Sequence, residues 1–376
     1  MERAEQQKRV GGIIPQDMLE ELARRNPDQR DNFLDTRSKL LEELNKPLKP
    51  RVGENANGAR EVYDAQGKST LPGEKARFEG EKATGNKEVD DAFDFTGFVR
   101  DFYLKEYDRN SIDGKGMKFV STVNYAENGR PFENAFWNGS QMTYGRPAEN
   151  SPLKTFVLLD VAAHEITHGV TEKESDFRYY GQSGALNESL SDVFGELTQQ
   201  YSKNQLATDA NWVVGDGIWK PGINGEGLRN MLKPGTAYDD PKVGKDRQPG
   251  HMKDYLKTTL DNGGVHTNSG IPNKAFATFA RAVGGHAWED PGHIWFAARR
   301  AAGNNPSFAS FAQQTIEAAK SIAPQSVEQL RKAWAEVGVT PSATAVDSLT
   351  PLAADAGIPV LKPRDQTKNL RHRKAS

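Results

Sequence analysis

The stretch AAHEITHGV, Ala162 to Val170, sets two histidines four residues apart with a glutamate directly after the first. On a helix successive residues turn by about 100°, so His164 and His168 share one face, a turn apart, and can bind a single ion. Neutral imidazole suits zinc, and three protein ligands leave a fourth position open to water. Glu165 lies beside that axis rather than on it, where its carboxylate can take a proton from a zinc-bound water. The pattern arises by chance in about one chain in a hundred of this length, so its surroundings decide. The flanks LLDVAA and GV are apolar, whereas a solvated helix face would carry charge around the histidines.

A third ligand has to come from another element. GALNESLSDVFGE offers Glu188, with Asp192 four residues further along the same helix face. Metal-bound histidines usually donate their other N–H to a carboxylate or carbonyl, a part open to Asp192 for His164 and to Asn187 for His168. NESLSD on its own also reads as the polar start of an ordinary helix. With HEITH upstream, the ligand reading is the stronger.

These motifs need elements to position them. PQDMLEELARRN has Met18, Leu19 and Leu22 at helical spacing, and DNFLDTRSKLLEELNKP predicts a second helix capped by Asp31 and ending before Pro47. Together they are too short and polar to bury much alone, so this segment either docks on the rest or stays mobile. A segment that docks and is then removed is a propeptide. A helical stretch around VDDAFDFTGFVRDFYLKEY follows, then short β-type runs, KFVSTVNYA and AFWNGSQMTYG. Beyond about Val157 the pattern is mainly helical, clearest in LLDVAAHEITHGVTE, GALNESLSDVFGELTQQYS, SGIPNKAFATFARAV and PSFASFAQQTIEAAKSI. The expected divisions are 1–52, propeptide-like; 53–157, an α+β half; 158–340, a helical half with HEITH at the seam; and 341–376, a flexible basic tail.

Composition narrows the chemistry. The 376 residues include no cysteine, which removes disulfides, thiolate catalysis and cysteine zinc sites, and there are only seven histidines. A net charge of −2 argues against a dedicated nucleic-acid binder. No run of about 18 apolar residues suggests a membrane span, and MERAEQQKRVGGIIPQ lacks the apolar region of a standard secretory signal. The expected location is therefore the cytoplasm by default, or outside the cell by a non-standard route. A monomer is expected.

HEITH followed by GALNESLSDVFGE, preceded by NAFWNGSQMTYG and followed by DNGGVHTNSGIPNKAF, resembles the thermolysin family of zinc metallopeptidases. The similarity runs in order from VYDAQGKSTLPGEKARFEGE to GGHAWEDPGHIWFAA. IIPQDMLEELARR resembles the start of the short propeptide of the protealysin-type members, with Ile14 and Pro15 where a proline pair is typical.

The resemblance implies a two-domain α+β zincin, β-rich in its first half and helical in its second, acting as a secreted zinc endopeptidase made as a latent zymogen. It implies His164, His168 and Glu188 as ligands of one catalytic zinc and Glu165 as general base and acid. It gives His266, oriented by Asp261, and Tyr179, with Tyr180 adjacent, the binding of the oxyanion. Asn134 and the backbone of Ala135 would hold extended peptide, Arg229 a carbonyl on the leaving-group side, and Val161, Val214, Ile218 and Leu228 a hydrophobic residue after the scissile bond.

For calcium, Asp160 and Asp216 match the family's double site, but Gln199, Asn211 and Val213 replace its other ligands, so the full site is expected to be absent. The alternatives are a catalytically silent zinc-binding partner protein, a nonpeptidic zinc hydrolase and an aminopeptidase. Retention of both Glu165 and His266 favours the enzyme over the silent protein, and no acidic motif near NAFW marks a free N-terminus as substrate.

Overall fold

The computed structural model describes residues 11–45, 57–175 and 177–342. The expected division at residue 52 and all but the first two residues of the expected tail lie outside this set.

The amino-terminal portion forms two helices, α1 (Gln16–Arg25) and α2 (Arg30–Asn45), joined by a 3-10 turn at Pro27–Gln29. The expected Asp31 cap is not found: α2 starts directly from that turn, and Asp31 sits inside its first turn, where an acid complements the helix dipole. Both helices dock. Met18, Leu19, Leu22, Phe33 and Leu40 are buried in the same hydrophobic core as the rest of the protein.

The next portion is a sheet crossed by one long helix. Strands β1 (Arg60–Asp64), β2 (Glu74–Phe78), β3 (Phe119–Glu127), β4 (Arg130–Pro131), β5 (Ala135–Trp137) and β6 (Met142–Gly145) run in the order β2-β1-β3-β6-β5, with β4 paired to β3. The pairs β1–β3 and β3–β6 are parallel, and β5–β6 is antiparallel. Helix α3 (Lys87–Tyr107) starts on Asn86, whose side chain accepts from the N–H groups of Glu88 and Val89.

The helical half begins with α4 (Leu159–Glu174) and α5 (Gly181–Ser202). Every residue from Asp160 to Thr171 is buried, so α4 is a central helix and not an amphipathic one. It packs closely on α5: a Cβ on Gly195 would stand 2.9 Å from the Asp160 carbonyl oxygen. Short pairs β7 (Val213–Val214) with β8 (Arg229–Asn230), and β9 (Asp239–Asp240) with β10 (Gly244–Lys245), lead to α6 (Asp261–Asn268), α7 (Gly270–Val283), α8 (Asp290–Ala301), α9 (Phe308–Ile322) and α10 (Val327–Glu336). Among the described residues no helix is long and apolar enough to cross a membrane.

Candidate active site

HEITH lies within α4 and NESLSD within α5, and the packing of these helices brings ligand atoms of His164, His168 and Glu188 within 4.8 Å of one another. The two imidazole Nε2 atoms are 3.0 Å apart, and each lies 3.4 Å from a Glu188 oxygen. Their far sides are tied down. His164 Nδ1 meets Asp192 Oδ1 at 2.9 Å, and His168 Nδ1 meets Asn187 Oδ1 at 2.8 Å. A donor Nδ1–H leaves each Nε2 lone pair facing its neighbour and Glu188. Among the described residues Glu188 Oε2 and His266 Nε2 are buried there without a hydrogen-bond partner. Two imidazoles with fixed tautomers, a carboxylate and an uncommitted buried oxygen suit zinc.

Charge around the set follows from burial and pairing. Burial works against the Glu188 carboxylate, but His266, His168 and His164 hold its pKa well below the ordinary value. Burial likewise opposes Asp192, and Arg229 with His164 outweighs it, down to about 2. Arg229 grips both Asp192 oxygens, each at 2.8 Å, and Asn273 donates to Oδ2 at 2.8 Å.

Glu165 is fully buried beside the triad. Its Oε2 accepts from the Trp137 N–H at 2.9 Å, while Oε1 has no hydrogen-bond partner among the described residues. Burial pushes its pKa up to about 8, a range in which a carboxyl group can both take and return a proton near neutrality.

Across the triad stands His266, with Nε2 3.4 Å from Glu188 Oε2. Residues 261–264 all have positive φ, from 48° to 86°, which curls Asp261 back so that its two oxygens meet the His266 N–H at 2.9 Å and Nδ1 at 2.7 Å. The pair of glycines in DNGG permits this turn. Tyr179 is buried with its hydroxyl donating to Glu188, whereas Tyr180 is 45% exposed. Position therefore separates the two tyrosines. The four apolar residues Val161, Val214, Ile218 and Leu228 are buried, and Asp160 Oδ2 ties the start of α4 to Gly215 in the loop that carries three of them. Asp160 also accepts from the Val161 N–H, and Asn211 donates to Asp216 at 3.1 Å.

The cleft above the triad is filled by the chain itself. Gly12 pairs antiparallel with Phe136 on the free edge of β5, and the Ile13 N–H donates to the Ala135 carbonyl at 3.0 Å. Asn134 accepts from the Ile14 N–H and donates to its carbonyl, and Arg229 donates to the Ile13 carbonyl at 3.2 Å. An edge strand recognises extended peptide in this way by adding one more strand.

Sequence reasoning missed three residues here: Ser191, whose hydroxyl is 3.0 Å from His168 Nδ1; Asn273, on Asp192; and Trp137, whose N–H holds Glu165. Ser191 was visible as a polar residue one position before Asp192, and Asn273 as a polar residue among the apolar residues of IPNKAF. Nothing in the sequence marks a backbone N–H as a carboxylate's partner.

A cleft built to hold extended peptide over a buried metal-binding triad defines a metal-dependent peptidase. Comparisons with known proteins give the same class. Residues 44–172 match the model of the thermolysin metallopeptidase catalytic domain, and residues 175–339 that of the thermolysin metallopeptidase alpha-helical domain. The chain is 45% identical over 283 residues to an extracellular metalloprotease of Pectobacterium carotovorum subsp. carotovorum, covering 74% of this chain and 81% of that one. It is 41% identical over 290 residues to an extracellular minor metalloprotease of Serratia marcescens, covering 76% and 81%. The solved structure of the precursor of protealysin, a metalloproteinase from Serratia proteamaculans, is similar with a TM-score of 0.80 and 41% identity, over 88% of this chain and 100% of that one. The chain belongs to the thermolysin family of metallopeptidases, protealysin type, and is a zinc metalloendopeptidase with the two-part α+β fold of that family.

Proposed function

We propose that the chain is the latent precursor of an endopeptidase, in which residues 1–52 act as a propeptide on a catalytic unit formed by 53–157 and 158–340. The observation that carries this reading is the seating of Gly12 to Ile14 on β5 and Arg229, where a peptide substrate would otherwise lie. The docked helices reinforce it through polar contacts: Arg25 and Asn26 donate to the carbonyls of Pro241 and Lys242, and Thr36 accepts from the Glu133 N–H.

His164, His168 and Glu188 would hold the zinc ion, which when bound supplies Lewis acidity to the scissile carbonyl and a more acidic water. Glu165 accepts a proton and returns it to the departing amine. His266, kept in orientation by Asp261, and Tyr179 donate to the carbonyl oxygen as it gains charge. Asn134, the Ala135 carbonyl and Arg229 align the main chain. Val161, Val214, Ile218 and Leu228 select a hydrophobic residue after the scissile bond. Calcium plays little part, and the enzyme works as a monomer outside the cell, the place named for its Pectobacterium and Serratia relatives.

The test is to express the full chain and Glu165→Ala and follow mass, zinc content and cleavage of a blocked peptide. Trimming near residues 45 to 60 together with peptide cleavage, both lost in the variant while zinc stays bound, supports the reading. A wild-type chain that binds zinc stoichiometrically, is trimmed by another protease and still cuts nothing overturns it.

A further inference from the structure

We propose that Gly12–Ile13 is the first peptide bond this molecule hydrolyses, within its own chain and before any cut between residues 45 and 60. This rests on the endopeptidase reading above.

The geometry starts from the peptide unit itself. The Ile13 N–H points at β5, to the Ala135 carbonyl. In a planar trans peptide the carbonyl is anti to the N–H, so the Gly12 carbonyl points away from β5 and across the cleft. His266 and Tyr179 stand where the chain enters: a Cβ on Gly11 would lie 2.9 Å from His266 Cε1 and 3.1 Å from the Tyr179 hydroxyl. The electrophilic carbon therefore sits between the β5 edge and the groups assigned to the oxyanion.

The amine side is clamped. Arg229, itself fastened to Asp192, holds the Ile13 carbonyl, Asn134 brackets Ile14, and both isoleucine side chains are fully buried. The base is also in place, because Glu165 accepts from Trp137, the neighbour of the residue paired with Gly12, and its other oxygen is uncommitted. Gly12 lies so close to the strand that a Cβ there would be 2.5 Å from the Ala135 carbonyl oxygen and 2.8 Å from Asn134 Oδ1. Only glycine allows this approach.

In the reaction the oxygen of water bonds to the Gly12 carbonyl carbon, the C–N bond breaks, and Glu165 passes the water's proton to the Ile13 nitrogen. One product ends in the Gly12 carboxylate and the other begins with the Ile13 amine. The second keeps its contacts to Asn134 and Arg229 and remains attached to α1, so this cut leaves the cleft covered. Release needs a second cut further along.

The experiment uses the full chain freed of metal with a chelator, then supplied with zinc and quenched at intervals, with new α-amines labelled and identified by mass. The expected result is a new terminus at Ile13 that precedes any at 45 to 60 and forms at a rate unchanged over a 100-fold range of protein concentration. Glu165→Gln should form none. Independently of turnover, amide exchange at Ile13 and Ile14 should be protected in Glu165→Gln and lost in Glu165→Gln combined with Gly12→Val, with protection of α4 and α5 kept. An active chain that cleaves a blocked peptide and trims at 45 to 60 while Gly12–Ile13 stays intact overturns the inference and leaves the endopeptidase reading standing. A concentration-dependent cut at Ile13, or no protection of its amide, also overturns it. A zinc-loaded chain that cuts nothing overturns both.

Discussion

Asn134 holds Ile14 by both ends of one side-chain amide: Oδ1 accepts from the Ile14 N–H at 2.9 Å, and Nδ2 donates to the Ile14 carbonyl at 2.8 Å. Neither contact touches the isoleucine side chain, so any extended peptide with the same backbone can replace it. Removing the amide should therefore weaken the hold on the amino-terminal segment and on a peptide substrate alike. We expect Asn134→Ala to lower kcat/KM on a blocked peptide about 10- to 100-fold, chiefly through KM, since two buried hydrogen bonds to main chain are lost. A change below about twofold would show that substrate does not use this residue.

Among the described residues Glu165 accepts one hydrogen bond, from the Trp137 backbone N–H, and is hydrogen-bonded to none of His164, His168 and Glu188. Glu165→Gln should keep full zinc content by elemental analysis while kcat falls by about 10³-fold, within the range for loss of a general base. Variants that lose zinc as well would place the residue in metal binding instead.

Stability should depend on Glu133 in a defined pH window. The side chain is fully buried and accepts from the Ala148 N–H and the Ser151 hydroxyl, and burial raises its pKa to about 7 from an ordinary value of 4.5. Raised in the folded state, the carboxyl costs nothing below pH 4.5, destabilises progressively as pH rises towards 7, and does so fully above it. Glu133→Gln should thus match the parent near pH 4 and exceed it by about 1–3 kcal/mol at pH 8. Denaturant melts at both pH values measure the difference. A variant no more stable at pH 8 would contradict the assignment.

Calcium should matter little. Asp160 spends its oxygens on the N–H groups of Gly215 and Val161, and Asn211 binds Asp216. Millimolar calcium should raise the melting temperature by less than about 3 °C, as expected for weak binding to the folded state. A larger rise, abolished by Asp216→Asn, would point to a working site.

The catalytic helices were legible because their chemistry and their periodicity coincide: HEITH and NESLSD each sit on an apolar helical pattern, and the helices found there extend it by only a few residues. The sheet was half legible. KFVSTVNYA and MTYG carry β-type residues, but β1, REVYD, is charged, and it forms because it pairs with β3, nearly sixty residues away in the chain. That information is tertiary. The Asp31 cap misled because local capping chemistry says nothing of the 3-10 turn that already starts α2. The sequence left open whether the amino-terminal segment docks at all, since its apolar stripe is short. What decides is the complementary surface, supplied by the rest of the protein and shared in a single core.

That shared core would give the proposed activation a direction. Met18, Leu19, Leu22, Phe33 and Leu40 have no apolar partners of their own beyond two short helices, and a peptide of that size cannot stay folded in water. On the proposed precursor reading, a segment cut free would lose its shape as it left and become an unfolded peptide open to further cleavage. Release would then be a ratchet and not an equilibrium, because the freed segment could not refold to cover the cleft again.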